Sequence, residues 1–93
     1  MDLGDVVISK DIKRHIVTGK AGERYQLVCV KTGTISHAFR EELYYYRAAS
    51  VEEVVTAYEN GAECRNLLLS LDFAKKFLRK HVHRGDDYPS MLY

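Results

Sequence analysis

Tyr25-Gln26-Leu27-Val28-Cys29-Val30-Lys31-Thr32-Gly33-Thr34-Ile35-Ser36-His37-Ala38-Phe39 decides the fold class of this chain. Its apolar and polar residues alternate up to the Thr32-Gly33 pair and then alternate again. Side chains along a strand point to opposite faces in turn. Tyr25, Leu27 and Cys29 therefore share one face of a first strand, and Ile35, His37 and Phe39 share one face of a second. Gly33 takes a positive φ without steric penalty, which predicts a β-hairpin closed by a short turn or a glycine bulge.

Upstream of the hairpin, Gly4-Asp5-Val6-Val7-Ile8-Ser9 has the β-branched content of a strand. Lys10 to Glu23 then mixes Lys10, Lys13, Arg14 and Lys20 with Gly19 and Gly22. It reads as a loop holding a short strand at His15-Ile16-Val17-Thr18 before a Gly19-Lys20-Ala21-Gly22 turn. Downstream, the Arg40-Glu41-Glu42 break leads into strand-prone Leu43-Tyr44-Tyr45-Tyr46, making four or five strands within the first 48 residues.

Ser50 starts a different period. Glu53 stands three residues later, the capping-box spacing, in which hydroxyl and carboxylate each serve the other residue's amide. Val51, Val54, Val55 and Tyr58 follow at helical spacing with Glu52, Glu53, Thr56 and Glu59 outside, so a helix is predicted over Val51 to Glu59, with Asn60-Gly61 as a left-handed stop. Beyond Gly61 two versions fit. Cys64, Leu67, Leu68, Leu71, Ala74, Leu78 and Val82 form one stripe of a long helix; alternatively Asn66 to Leu69 is a closing strand and Ser70 caps a separate helix. Both make Leu71 to about His83 helical, ended by Gly85-Asp86-Asp87-Tyr88-Pro89. The fold class is α+β: a small bent antiparallel sheet or SH3-like barrel over residues 3–48, two helices over 50–84 and a tail over 85–93, in a single domain of 93 residues.

The composition, 46% hydrophobic and 29% charged, is that of an ordinary globular protein, and a net charge of +1 does not by itself point to nucleic acid. Cys29 and Cys64 are expected to be buried and reduced. The first residues have no signal-peptide pattern and no apolar run reaches the ~20 residues of a membrane span, so a cytoplasmic location is expected.

No complete metal or catalytic motif is present. His81 and His83 point apart on a helix, and neither cysteine is spaced to join them; neither a metal nor another cofactor is expected. There is no nucleophile elbow, phosphate loop or metalloprotease signature. Cys29 with His37 across the hairpin is the one nucleophile-base pair the spacing allows; an interior strand pair explains the same residues, and a non-enzymatic role is expected. Two surfaces invite a partner. Lys75, Lys76, Arg79, Lys80 and Arg84 make the last helix basic, which suits phosphates, an acidic protein or simply the helix dipole and the acidic first helix. Tyr44, Tyr45 and Tyr46 cannot all face one side of a strand, so tyrosine must reach solvent, a partner or the helices.

The Gly4-Asp5-Val6-Val7 strand, the Tyr25 to Gly33 hairpin arm and Ser50-Val51-Glu52-Glu53 through Tyr58 together resemble small SH3-like barrel accessory proteins of Gram-positive phages and mobile elements. The resemblance covers about two thirds of the chain and stops before the basic helix. It implies a short protein that works by binding, such as a phage-encoded inhibitor or modulator of a host defence protein. The expected function is thus a protein-binding module using Tyr44, Tyr45, Tyr46, Lys75, Lys76, Arg79, Lys80 and Arg84. The alternative is nucleic-acid binding by the basic helix and the Lys10 to Lys20 loop.

Overall fold

The computed structural model describes residues 1–84, with side chains through position 80; the expected tail over 85–93 and the Gly85 to Pro89 stop lie outside the described residues. The elements run β1 (Asp5–Ile8), β2 (Arg14–Ala21), β3 (Arg24–Cys29), β4 (Ile35–Phe39), a 3-10 turn (Arg40–Glu42), β5 (Tyr44–Ala48), α1 (Val51–Asn60), α2 (Arg65–Leu68) and α3 (Leu71–Arg84). The strands form one antiparallel sheet in the order β4-β3-β2-β1-β5, bent and open, with β4 and β5 at its edges. The α+β expectation holds, with the one-turn α2 inserted between the two main helices.

The β3–β4 hairpin closes through residues 30–33. The Cys29 amide donates to the Thr34 carbonyl at 2.9 Å, the Gly33 amide to the Cys29 carbonyl at 2.7 Å, and Gly33 sits at φ +72°. Val28 lies opposite Ile35 and Gln26 opposite His37. The Cys29–His37 pair across the hairpin would need Cys29 opposite Ile35, one residue away from this register, and a one-residue slip exchanges faces. His37 lands on the face opposite Cys29 and is exposed.

β2 is longer than the sequence suggests. It runs on through Gly19 to Ala21 because the register shifts between Val17 and Gly19, leaving Thr18 as an extra residue whose hydroxyl donates to the Gln26 carbonyl at 3.3 Å. The glycine marks a bulge, and the turn falls at Gly22-Glu23.

The sheet is apolar on both faces. Val6, Ile16 and Val28 pack under the helices against Ala49, Ala57, Cys64, Leu68 and Phe73. Val7, Val17, Tyr25 and Leu27 form a second cluster on the other face with Leu43, and Met1 and Ala38 pack against it. Cys29 is buried yet belongs to neither apolar cluster.

α1 opens on the predicted box: Ser50 Oγ accepts from the Glu53 amide at 3.2 Å and Glu53 returns a bond to the Ser50 amide at 2.9 Å. Its inner face is not the expected one. Ala57 is its buried residue and Val54 packs beside it, while Val51, Val55 and Tyr58 are exposed. The small side chain of Ala57 lets the helix end approach the hairpin turn, and Gly61 is part of the same approach. Gly61 is extended (φ −127°) rather than left-handed, and a Cβ there would lie 2.6 Å from the Gly33 Cα. Asn60 Nδ2 donates to the Lys31 carbonyl at 2.8 Å and fastens the contact.

Residues 66–69 are not a strand, and the stripe does not run unbroken from Cys64. Ser70 caps a separate α3, accepting from the Phe73 amide at 3.2 Å. The break resets the helical phase, so Phe73 and Phe77, stacked at 5.6 Å between centroids, face the sheet, while Leu71 and Leu78 face solvent.

Candidate functional site

β5 is an edge strand, and all three of its tyrosines are open: Tyr44 is 72% exposed, Tyr45 58% and Tyr46 49%. Tyr44 pairs opposite Ile8 and Tyr45 opposite Val7, so they point to different faces as alternation requires; the ladder then shifts, leaving Tyr46 as the extra residue of a bulge. Two guanidinium groups lie over the Tyr46 ring, Arg14 at 5.3 Å and Arg47 at 5.0 Å from its centroid. Arg47 is held in turn by a two-point ion pair to Glu53, with Nη2 donating at 2.8 Å. The Arg47 bond is the main force holding the Glu53 carboxyl down to about 2, opposed by burial and helped by Ser50. Arg14 also lines a cavity of about 550 Å³ with Lys13, Cys29, Val30, Lys31 and Thr32. Tyrosine and cation thus lie side by side at this end of the sheet.

The cations of α3 have other partners. Lys80 Nζ lies 2.8 Å from Oδ1 of the buried Asp5, and Lys76 Nζ lies 3.4 Å from Asp2. These pairs dock α3 on the N-terminal segment and β1, and among the described residues no ion pair joins α3 to the acidic α1. Lys75 and Arg79 are exposed and, with Lys76 and Asp72, border a groove of about 470 Å³ that Lys20 and Gly19 of β2 complete. Lys20 therefore joins the basic helix, whereas Lys10 and Lys13 belong to the opposite end of β2. The side chain of Arg84 lies outside the described residues.

The third constellation was missed in the sequence. His37 is not the histidine near Cys29; His15 is, directly opposite it in the β2–β3 ladder. His15 Nε2 lies 3.2 Å from the Asp11 carboxylate and 3.1 Å from Ser9 Oγ, and its buried Nδ1 has no hydrogen-bond partner among the described residues. The Ser9 hydroxyl, followed by the Lys13 amide, lowers the Asp11 carboxyl to about 2. Burial pushes the Cys29 thiol up, but the Thr32 hydroxyl, the Thr32 and Lys31 amides and the Lys13 charge outweigh it and hold the thiol below its ordinary value. Cys64 is the reverse case: its S–H donates to the Ala57 and Gly61 carbonyls, and burial pushes its pKa up. The sequence signal was the short strand over His15 to Thr18, but ending that strand in a turn at Gly19 left its pairing with the Tyr25 to Cys29 strand, and so the approach of His15 to Cys29, unread.

Among the described residues no cluster of three or more His, Cys, Asp or Glu is placed to hold a metal ion, and no helix is long and apolar enough to cross a membrane. In comparisons with known proteins, the chain matches no family model, no curated protein and no solved structure.

Proposed function

We propose that this protein is a small non-enzymatic binding module that takes a protein partner on the β5 edge, with Tyr44 and Tyr46 as apolar anchors and Arg14 selecting an acidic partner surface. The observation that carries this reading is the exposure of three consecutive tyrosines on an edge strand, one of them already in cation–π contact with two guanidinium groups. Such rigid, amphipathic side chains lose little freedom on binding and dominate interface energetics. The resemblance to accessory proteins of Gram-positive phages makes a host protein the proposed class of partner, and inhibition or modulation of it the proposed outcome. In a capture experiment from Gram-positive host lysate, Tyr44→Ala and Tyr46→Ala are expected to melt like wild type and to lose the partner, since truncating a central tyrosine typically costs on the order of 2 kcal/mol of binding. Undiminished capture by both folded variants would refute the assignment.

A second reading is supported by the groove in which Lys20 meets Lys75, Lys76 and Arg79. In that reading the groove tracks a nucleic-acid backbone without reading bases. Its signature is single-strand binding that weakens steeply between about 50 and 200 mM salt and is lost in the double variant Lys75→Glu, Arg79→Glu.

A further inference from the structure

The two cysteines are opposite in character. Cys64 lies within the apolar cluster under the helices and donates to carbonyls, an environment that favours the protonated thiol. Cys29, though only 5% exposed, is outside both apolar clusters, borders two cavities and ends β3 where the donors of the following turn reach it. Directly opposite it is His15, also 5% exposed, whose Nδ1 is unpartnered. His15 lines the same cavity of about 240 Å³ as Cys29, Asp11, Lys13 and Thr32. With Nε2–H given to Asp11 and Ser9, Nδ1 is left as the bare, basic nitrogen. A buried nitrogen without a partner is a penalty unless it has a use. Lys13, Arg14 and Lys31 give the larger opening beside Cys29 a positive rim, while Asp11 borders His15 on the Cys29 side and Glu42, Lys10 and His37 line the neighbouring cavity that His15 also borders.

We infer that Cys29 is a reactive thiol, that His15, which makes no direct hydrogen bond to it, deprotonates it through a water in the cavity the two residues share, and that it exchanges with low-molecular-weight disulfides bearing carboxylates, which the Lys13, Arg14 and Lys31 rim draws in. The thiolate sulfur of Cys29 attacks one sulfur of the incoming disulfide. The new S–S bond forms as the old one breaks, and the leaving thiolate takes the proton held on His15 and departs as a thiol. Cys29 is oxidised to a mixed disulfide, and the disulfide reagent supplies the oxidising equivalents. Asp11 is a positioning residue that orients the imidazole.

The test uses the full chain with two probes, dithiobis(nitrobenzoate), which is anionic, and dithiodipyridine, which is uncharged, followed by mass spectrometric mapping of the adduct. On the folded protein the adduct is expected on Cys29, and Cys64→Ser is expected to leave the rate unchanged. The ratio of anionic to uncharged reagent rates should exceed that of the urea-unfolded chain by about threefold or more, the order expected for one pair of unit charges some 7 Å apart in water. The pH midpoint of the reaction should fall below that of the unfolded chain, and His15→Gln should move it up. Asp11→Asn, at a more exposed position, should move it in the same direction and provides a test if His15→Gln does not fold. Modification of Cys64 instead, a reagent ratio equal to that of the unfolded chain, or a pH profile unmoved by whichever of these two variants folds would overturn the inference.

Discussion

Replacing Gly61 by alanine separates three accounts of that residue by the sign and pattern of the effect. If Gly61 were an unobstructed extended residue, alanine would stabilise the protein by about 0.4–1 kcal/mol through the unfolded chain. If it were a left-handed helix stop, alanine would cost about 1 kcal/mol and asparagine, which tolerates that conformation, would recover much of it. The structure supports neither account. The backbone is extended at φ −127°, and the new Cβ would lie 2.6 Å from both the Cα and the carbonyl oxygen of Gly33. Carbon atoms settle at about 3.5–4.0 Å, so the turn and the helix end must separate by about 1 Å. That separation also stretches the Asn60 to Lys31 hydrogen bond, 2.8 Å in the native protein. Overpacking of this kind costs about 1–3 kcal/mol, and at about 4–8 °C per kcal/mol in a domain of this size the Tm should fall by roughly 5–20 °C. Gly61→Asn should be no better than Gly61→Ala. Gly33→Ala should be worse than either, because Gly33 adds a φ of +72° to the same contact. Thermal and urea melts followed by circular dichroism provide the measurement. A Gly61→Ala protein that melts at or above wild type, or an asparagine variant that recovers the loss, would refute the close-approach account.

Two further outcomes follow from the ion pairs. Glu53 titrates near 2 in the folded protein against 4.5 unperturbed, so its contribution to stability is complete above about pH 4.5 and is lost as pH falls toward 2. Urea midpoints of wild type and Glu53→Gln should therefore differ most above about pH 4.5 and converge near pH 2; a gap that stays constant with pH would remove the Arg47 pair as its cause. Lys80→Ala strands Asp5, whose side chain is 4% exposed, and should cost about 2–3 kcal/mol, whereas Lys75→Ala should stay within about 0.5 kcal/mol by denaturant melting. Equal stability of the two variants would show that Lys80 does not carry the docking of α3.

What the sequence determined by itself is local. Alternation around Gly33 specifies the hairpin, and Ser50 with Glu53 specifies where α1 begins, because both signals act within a few residues and need no distant partner. The exposure of tyrosine on β5 was legible in part for the same reason: three neighbours in a strand cannot share a face. The tertiary structure decided which face of each element is inner. Gly19 reads as a turn until the Thr18 bulge absorbs it, and only then does β2 bring His15 opposite Cys29 in place of His37. Val51, Val55 and Leu78 match a helical stripe, but the helices are oriented by Ala57 against the hairpin turn and by Phe73 against the sheet, contacts made between residues far apart in the chain. Lys76 and Lys80 look like a free basic patch until Asp2 and Asp5 are placed beneath them. Register, helix phase and charge pairing are relations between segments, and no single segment carries them.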